Sequence, residues 1–517
     1  MVSITGIMAV KLGSLWARAR PLGRRFLHKA CRGTSGLIPL LRQCRGGETR
    51  WWSGATPLRR AGRAALWSIV GASLCALTGV AHAADRPNVL LIVIDDLNDW
   101  VGPLGGHPQA NTPNIDALAR RGVTFTNAYT AAPVCNPSRA AMFSGKRPST
   151  SGVYDNTNEW RKVLPPALML PTQFRNAGYL VAGSGKLYHH GRDRQADWGP
   201  YSPFSVTRGN QKCATNPVTA ADGLIKYAIG ACADSDTSDY KNVQWMIDRL
   251  NENRTQPFFF AQGLWLPHLY WYVPKKYYDL YPRTSVQLPP YLSTDLNDVP
   301  PAGKSMAQKA SDHAAILAVG TQHWRDLVRA YLASISYADA QVGRLIAALD
   351  ASPYRDNTIV VLLSDHGWHL GEKSHWQKYT LWEEATRVVY TWIVPGVTGA
   401  NQTAAAPVDL MSLYPTLMEL AGLPTPAHVE GKSVRPLLGS PAGSRDVPAI
   451  TRYKLQNHAV RMGPWRYIRY KNGNEELYNH DSDPNEWTNL AGRADMAQRK
   501  AELKRLLPTV NAPPVIK

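Results

Sequence analysis

The chain reads as an α/β protein: a doubly wound central sheet with helices on both faces, followed by a smaller antiparallel sheet near the C-terminus. Three observations carry that reading. Short apolar runs rich in β-branched residues alternate with longer segments of helical period. Polar residues of catalytic type stand just beyond the ends of those runs, where open α/β sheets keep their ligands. After Ala421 the pattern changes, and Trp465–Tyr470 (WRYIRY) alternates with period two, as a half-buried antiparallel strand does.

The N-terminal part lies outside this scheme. Arg59, Arg60 and Arg63 precede an apolar run from Ala64 to Val80, and Ala81-His82-Ala83 follows as a small-x-small cleavage pattern. A signal peptide is expected, hence export to the periplasm or the exterior, with no stable membrane insertion once the signal is removed. Residues 1–58, rich in Arg, Gly and Trp, show no period; they read as a leader, or as sequence ahead of the true start, disordered or absent from the mature protein. The expected organisation is a leader and signal over 1–83, a catalytic α/β domain over 84–400, and a portion over 401–517 that completes the main domain and forms the small sheet.

Charge and cysteines narrow the function. Of the formal +19, residues 1–84 hold 13 basic side chains against one acid, Glu48, leaving 45 basic and 38 acidic in the rest. With most of the excess outside the folded body, nucleic-acid binding is set aside and a mild bias toward anionic substrates remains. Cys135, Cys213 and Cys232 are the cysteines of the mature chain. In an exported protein Cys213 and Cys232 can pair, which leaves Cys135 in need of a purpose.

Taken in order, Pro87–Ile94 (PNVLLIVI) is a strand buried on both faces, and it ends in Asp95-Asp96. Thr112–Ala119 is a turn into a short helix, and Val123–Tyr129 is extended and leads to Cys135-Asn136-Pro137-Ser138-Arg139. Leu168–Ala177 is helical, and Tyr179–Gly183 is a short strand running into Lys186 and His189. Residues 199–240 are loop-rich; a helix covers Tyr240–Arg254, and the strand Pro257–Leu264 ends near His268. Tyr270–Ala310, rich in Pro and Tyr, reads as an irregular surface excursion of functional length. A helix over Trp324–Asp350 leads to the strand Thr358–Leu363, which ends in Ser364-Asp365-His366-Gly367. Val388–Val394 is a further strand, Pro407–Ala421 a helix, and Ala494–Leu507 the terminal helix.

The strand-end groups suit one chemistry. Carboxylates with few thiolates favour a hard cation, Ca²⁺ or Mg²⁺. Arg139, Lys186 and Lys378 around it suit a tetrahedral oxyanion ester, and His189 and His268 can move protons. Cys135 is the misfit, because a thiolate is a poor ligand for a hard cation.

In this order these motifs resemble the type I, formylglycine-dependent sulfatases of the alkaline phosphatase superfamily, and especially the iduronate-2-sulfatase-like branch. The motifs are Asp95-Asp96; Cys135–Arg139 with Gly145-Lys146; Gly185–His189; Pro267-His268; Ser364–Gly367 with Lys378; Leu413–Thr416; and Glu476–Tyr478 with Asp483-Pro484 and Asn489-Leu490. The resemblance implies an alkaline-phosphatase-like sheet and oxidation of Cys135 to formylglycine by a maturation enzyme. One hydroxyl of the formylglycine hydrate would attack sulfur, and the other would later expel sulfate. It further implies that Asp95, Asp96, Asp365, His366 and the modified Cys135 bind the metal, Ca²⁺ first and Mg²⁺ as an alternative. Arg139 and Lys186 would orient the hydrate, and His189 would take the proton that drives sulfate release. His268 would protonate the leaving oxygen, while Lys186 and Lys378 hold the sulfate. A sulfated glycan is the expected substrate, with Trp160, Trp265, Trp271, Tyr272, His375 and Trp376 either a sugar platform or core. The rival readings are a phosphodiesterase or phosphonate hydrolase on the same scaffold, and a silent glycan-binding protein.

Overall fold

The computed structural model describes residues 86–204, 210–308 and 313–516. The leader, the signal segment and the cleavage pattern lie outside the described residues. Seven strands form the central sheet: β1 (Asn88–Ile94), β2 (Val123–Phe125), β3 (Leu180–Gly185), β4 (Phe258–Leu264), β5 (Thr358–Ser364), β6 (Tyr390–Ile393) and β7 (Gln402–Ala404). Their spatial order is β7-β2-β6-β5-β1-β4-β3.

Strands β3, β4, β1 and β5 are mutually parallel. The central strand β1 shows why the run PNVLLIVI carries no polar face. Leu90, Ile92 and Ile94 point into one core, and Val89, Leu91 and Val93 into another. Each face needs its own cover. Helices α3 (Ser238–Leu250) and α4 (Thr321–Ala351) cover the first face, and α1 (Cys135–Ser144), α2 (Leu170–Asn176) and α5 (Leu413–Leu420) cover the second. Burying one such aliphatic side chain stabilises by about 1.5–3 kcal/mol, so this strand anchors the fold.

The sheet is mixed rather than wholly parallel. β6, expected over Val388–Val394, runs antiparallel to both β5 and β2. Between β5 and β6 the chain forms a short antiparallel pair, His369–Leu370 with Trp376–Gln377, a 3-10 turn at Glu372–Ser374 and a four-residue helix, Glu383–Thr386, and so returns without a crossover helix. The stretch expected over Tyr270–Ala310 as an irregular surface excursion is irregular only in part: residues 280–294 hold no helix or strand, but its beginning belongs to the core. Trp271–Pro274 is a buried strand paired in parallel with Lys226–Gly230, and Trp271, Val273 and Tyr278 join the first core. Cys213 and Cys232 are disulfide-bonded, and Cys135 is the free cysteine among the described residues.

Beyond α5, strands β8 (Ala449–Arg452), β9 (His458–Met462), β10 (Trp465–Arg469) and β11 (Glu475–Asn479) form an antiparallel sheet in sequence order. Leu503 of the terminal helix α6 (Ala497–Lys504) packs with Tyr467 and Leu477. Among the described residues no helix is long and apolar enough to cross a membrane.

Candidate active site

Register builds the site. Ile94 lies opposite both Leu264 and Ser364, so β1, β4 and β5 end at one level. The pairing continues one step further: Asp95 N–H donates to Leu264 O at 3.2 Å, and Asp365 N–H donates to Ile94 O at 3.2 Å. Asp95, Asp96, Asp365 and His366 are fully buried together as a result. Helix α1 begins at Cys135 and places Arg139 one turn later on the same face. Strand β3 delivers Lys186 through Gly185, whose φ is +69° and where a Cβ would overlap the carbonyl oxygen of Gly263.

The guanidinium of Arg139 ties the acidic groups together. Its Nε donates to Asp365 Oδ2 at 2.7 Å, a terminal nitrogen donates to Asp95 Oδ1 at 3.2 Å, and the other reaches the carbonyls of Lys186 and Leu187. Lys186 Nζ also pairs with Asp95 Oδ2. Lys378 Nζ lies 2.7 Å from Asp96 Oδ1 and 3.1 Å from Cys135 Sγ. The thiol is further faced by His366 Nε2 at 3.3 Å and Lys186 Nζ at 3.9 Å. Asp365 is braced through its carbonyl, which accepts from Thr130 and Ser138 hydroxyls at 2.6 Å each. The carbonyl of Asp96 accepts from Tyr331 at 2.7 Å.

Charges in this pocket shift one another. Burial opposes ionisation of Cys135, but Lys186, Lys378 and His366 outweigh it and hold the thiol well below its usual range. Burial raises Asp95 too, yet Lys186, His268 and Arg139 bring it below ordinary carboxylates. For Asp365 burial wins, and its carboxyl is pushed up to about 6 despite Arg139 and His366. Burial lowers His366, but Asp365 and Cys135 carry it up to about 9. His189, desolvated, sits below its usual value.

A cleft of about 350 Å³ opens above these groups, and Lys186, His189, His268 and Lys378 line it. All the side chains expected from the sequence to act are therefore in or under one cleft. His268 Nδ1 lies 2.7 Å from Leu269 O, and its Nε2 is 3.7 Å from Asp96 Oδ2. Asp96 Oδ2 is buried without a hydrogen-bond partner. Lys378 sits on a contorted segment: Lys373, Ser374, Gln377 and Tyr379 all have positive φ, from 49° to 82°. Such conformations cost about 1–3 kcal/mol each and persist where the surroundings impose them.

The aromatic platform resolves mostly into core. Trp160, Trp271, Tyr272, His375 and Trp376 are buried, and His375 braces the Lys378 loop from between the carbonyls of Ala307 and Lys378, at 2.6 and 2.7 Å. Trp265 does line the cleft, with Lys186 Nζ 4.2 Å from its ring centroid. Sequence reasoning did not single out Asn156, His190, Tyr270 or Tyr379, which also line it. Nor did it find Tyr331, a mid-helix tyrosine with no motif around it.

Known proteins with the same pattern are numerous. Residues 87–423 match the family model "Sulfatase", and residues 371–512 match "N-sulphoglucosamine sulphohydrolase, C-terminal". A protein called "Sulfatase" from Formosa agariphila is 41% identical over 84% of this chain and 88% of its own length. Human "Iduronate 2-sulfatase" is 30% identical over 83% of this chain and 96% of its own. Among solved structures, one described as a complex with its substrate D-glucosamine-2-N,6-O-disulfate superposes with a TM-score of 0.67. It is 21% identical and covers 82% of this chain and 97% of the other.

Proposed function

The chain belongs to the sulfatase family and is a sulfuric ester hydrolase, and on that premise we propose that it is exported and removes sulfate from glycans, using formylglycine made from Cys135 and a bound Ca²⁺. One observation carries the reading. A buried thiol at the start of a helix is ringed by Lys186, Lys378 and His366, with Asp95, Asp96 and Asp365 beside it. Anion-binding cations and metal-binding carboxylates meet at that one atom.

The donor set fits a hard divalent cation. Oxygen, nitrogen and sulfur atoms of Asp95, Asp96, Cys135 and His268 lie within 4.8 Å of one another, as do those of Asp95, Cys135, Asp365 and His366. The buried, unpartnered Asp96 Oδ2 is an open oxygen ligand. Asp95, Asp96, Asp365, His366 and modified Cys135 would hold Ca²⁺, with Mg²⁺ as the alternative, and the ion would supply charge to polarise the reacting oxygens. Formylglycine, as its hydrate, would supply the attacking hydroxyl.

The remaining work falls to the chain's own side chains. Arg139 and Lys186 fix the nucleophile's surroundings, and Lys186 with Lys378, both almost fully buried, neutralise the sulfate. His189, desolvated and neutral, can take a proton from the second hydroxyl to release sulfate. His268 keeps Nδ1 on the Leu269 carbonyl, so Nε2 faces the cleft and can protonate the leaving oxygen.

The test is a peptide mass spectrum across Cys135, with turnover of matched p-nitrophenyl sulfate and phosphate by the same preparation. An aldehyde mass and preferred sulfate cleavage are expected. Dominant phosphate cleavage would move the reading to the phosphorus hydrolases on this scaffold, and an intact thiol with retained glycan binding to a silent binder.

Removing the cation should also leave a pH signature. Asp365 has a folded value of about 6 against an ordinary 3.8, so the cation-free fold holds a proton that the unfolded chain has released. Its stability therefore falls as pH rises from about 4 through about 6. Bound Ca²⁺ needs the ionised form and offsets that loss. EDTA is thus expected to lower Tm more at pH 7.5 than at pH 5, measured by differential scanning fluorimetry; an equal or reversed difference would count against a cation held by Asp365.

A further inference from the structure

We propose that Asn156 is a substrate-binding residue that reads a hydroxyl beside the sulfate ester, and so sets the preference for sugar over aryl sulfates. This inference rests on the glycan-sulfatase reading above.

The argument starts at the nucleophile helix. Val134, at its N-cap, supplies no side-chain acceptor, so the first amides of α1 need partners from elsewhere. The amide of Asn136, the residue after the nucleophile, donates to Asn156 Oδ1 at 3.0 Å. An N–H can pair only with the oxygen end of that carboxamide, so the chemistry itself fixes which arm is which. Asn156 also lines the cleft, and its Nδ2 makes no hydrogen bond to any described residue. One end of the amide is held beside the nucleophile, and the other offers two hydrogens.

The segment bearing Asn156 is clamped from both sides. Asn136 Nδ2 donates to the carbonyls of Asp155 and Asn158 at 2.9 and 3.0 Å. Asn158 is buried; its Oδ1 accepts from the amides of Tyr154 and Asp155 at 2.8 Å each, and its Nδ2 donates to Val515 O at 2.6 Å. The C-terminal segment thus straps the loop, with Val515 N–H donating to Gly152 O at 2.9 Å and Tyr154 to Ala512 O at 2.6 Å. A donor held this firmly loses little entropy on binding.

Its neighbours make it distinctive. Lys186, Lys378 and the histidines of the cleft suit the sulfate or proton transfer, and although Tyr270, Tyr379 and Gln377 also border it, Asn156 is the carboxamide pinned to the amide that follows Cys135. A neutral, oriented donor next to the nucleophile suits instead a neutral acceptor close to the ester. On a sugar the vicinal hydroxyl is such a group, and a simple aryl sulfate has none.

The test compares two substrates on one enzyme: p-nitrophenyl sulfate, and whichever of a panel of O-sulfated disaccharides the wild type cleaves fastest. In Asn156→Ala, the ratio of kcat/KM for disaccharide over aryl sulfate is expected to fall at least about tenfold. The ratio cancels losses through the helix pin, the cation or the yield of modified Cys135, which strike both substrates alike. Should Asn156→Ala not fold, Asn156→Ser gives the same comparison. A ratio within about threefold of wild type in the variant that folds would overturn the assignment and leave the sulfatase reading intact. Failure of the wild type to cleave any disaccharide, while it cleaves p-nitrophenyl sulfate, would overturn the glycan reading and the assignment together.

Discussion

Cys135→Ala protein is expected to hydrolyse p-nitrophenyl sulfate at least about 10⁴-fold more slowly than the matured enzyme, while its Tm moves by only a few degrees. Such a drop corresponds to about 5.5 kcal/mol of transition-state stabilisation, more than a positioning residue ordinarily supplies. The size follows from the proposed chemistry: if the attacking hydroxyl is that of modified Cys135, its removal leaves only electrostatic binding. The fold survives for a reason visible in the ion pairs. Lys186 retains Asp95, and Lys378 retains Asp96, when the sulfur is taken away. Steady-state kinetics beside a thermal melt decide the matter, with the wild type's aldehyde content measured on the same batch. Activity within a hundredfold of wild type would remove Cys135 from the nucleophile's place.

Arg139→Ala should behave in the opposite way, losing stability as well as rate. Arg139 is completely buried and donates to Asp365, Asp95 and the carbonyls of Lys186 and Leu187. Without it two buried carboxylates and two carbonyls lose the guanidinium at once, while Lys186 on Asp95 and the Asp96 amide on Asp365 remain. Breaking a buried pair by deleting one partner costs about 3–5 kcal/mol. Arg139→Lys restores the charge but not the planar fork that serves four acceptors, so most of the loss is expected to persist. Urea unfolding of both variants, with Ca²⁺ present, measures this. A change under about 1 kcal/mol in Arg139→Ala would mean that the bound cation, not the guanidinium, neutralises the acids.

The sequence by itself determined the parts of this protein whose signals are local. The apolar run of β1 predicted a strand covered on both faces, because every second residue needs burial on its own side. Asp95-Asp96 and Ser364–Gly367 could be placed at strand ends because the runs before them stop abruptly. Cys135 stood out because Cys213 and Cys232 could pair with each other, and they do.

Other properties depended on contacts between residues far apart in the chain, which no local pattern encodes. The common level of β1, β4 and β5, which gathers Asp95 and Asp365 under Arg139, comes from strand register. The reversal of β6 depended on a connection without a crossover helix, although its composition resembled that of the parallel strands. Aromatic residues look alike in sequence whether they pack or bind; Trp376 is enclosed and Trp265 borders the cleft only because of what folds over each. Asn156 lies in a polar loop with no pattern to mark it. Its place beside Cys135 is decided by Asn136 on one side and the C-terminal strap on the other, two segments that meet only when the chain is folded.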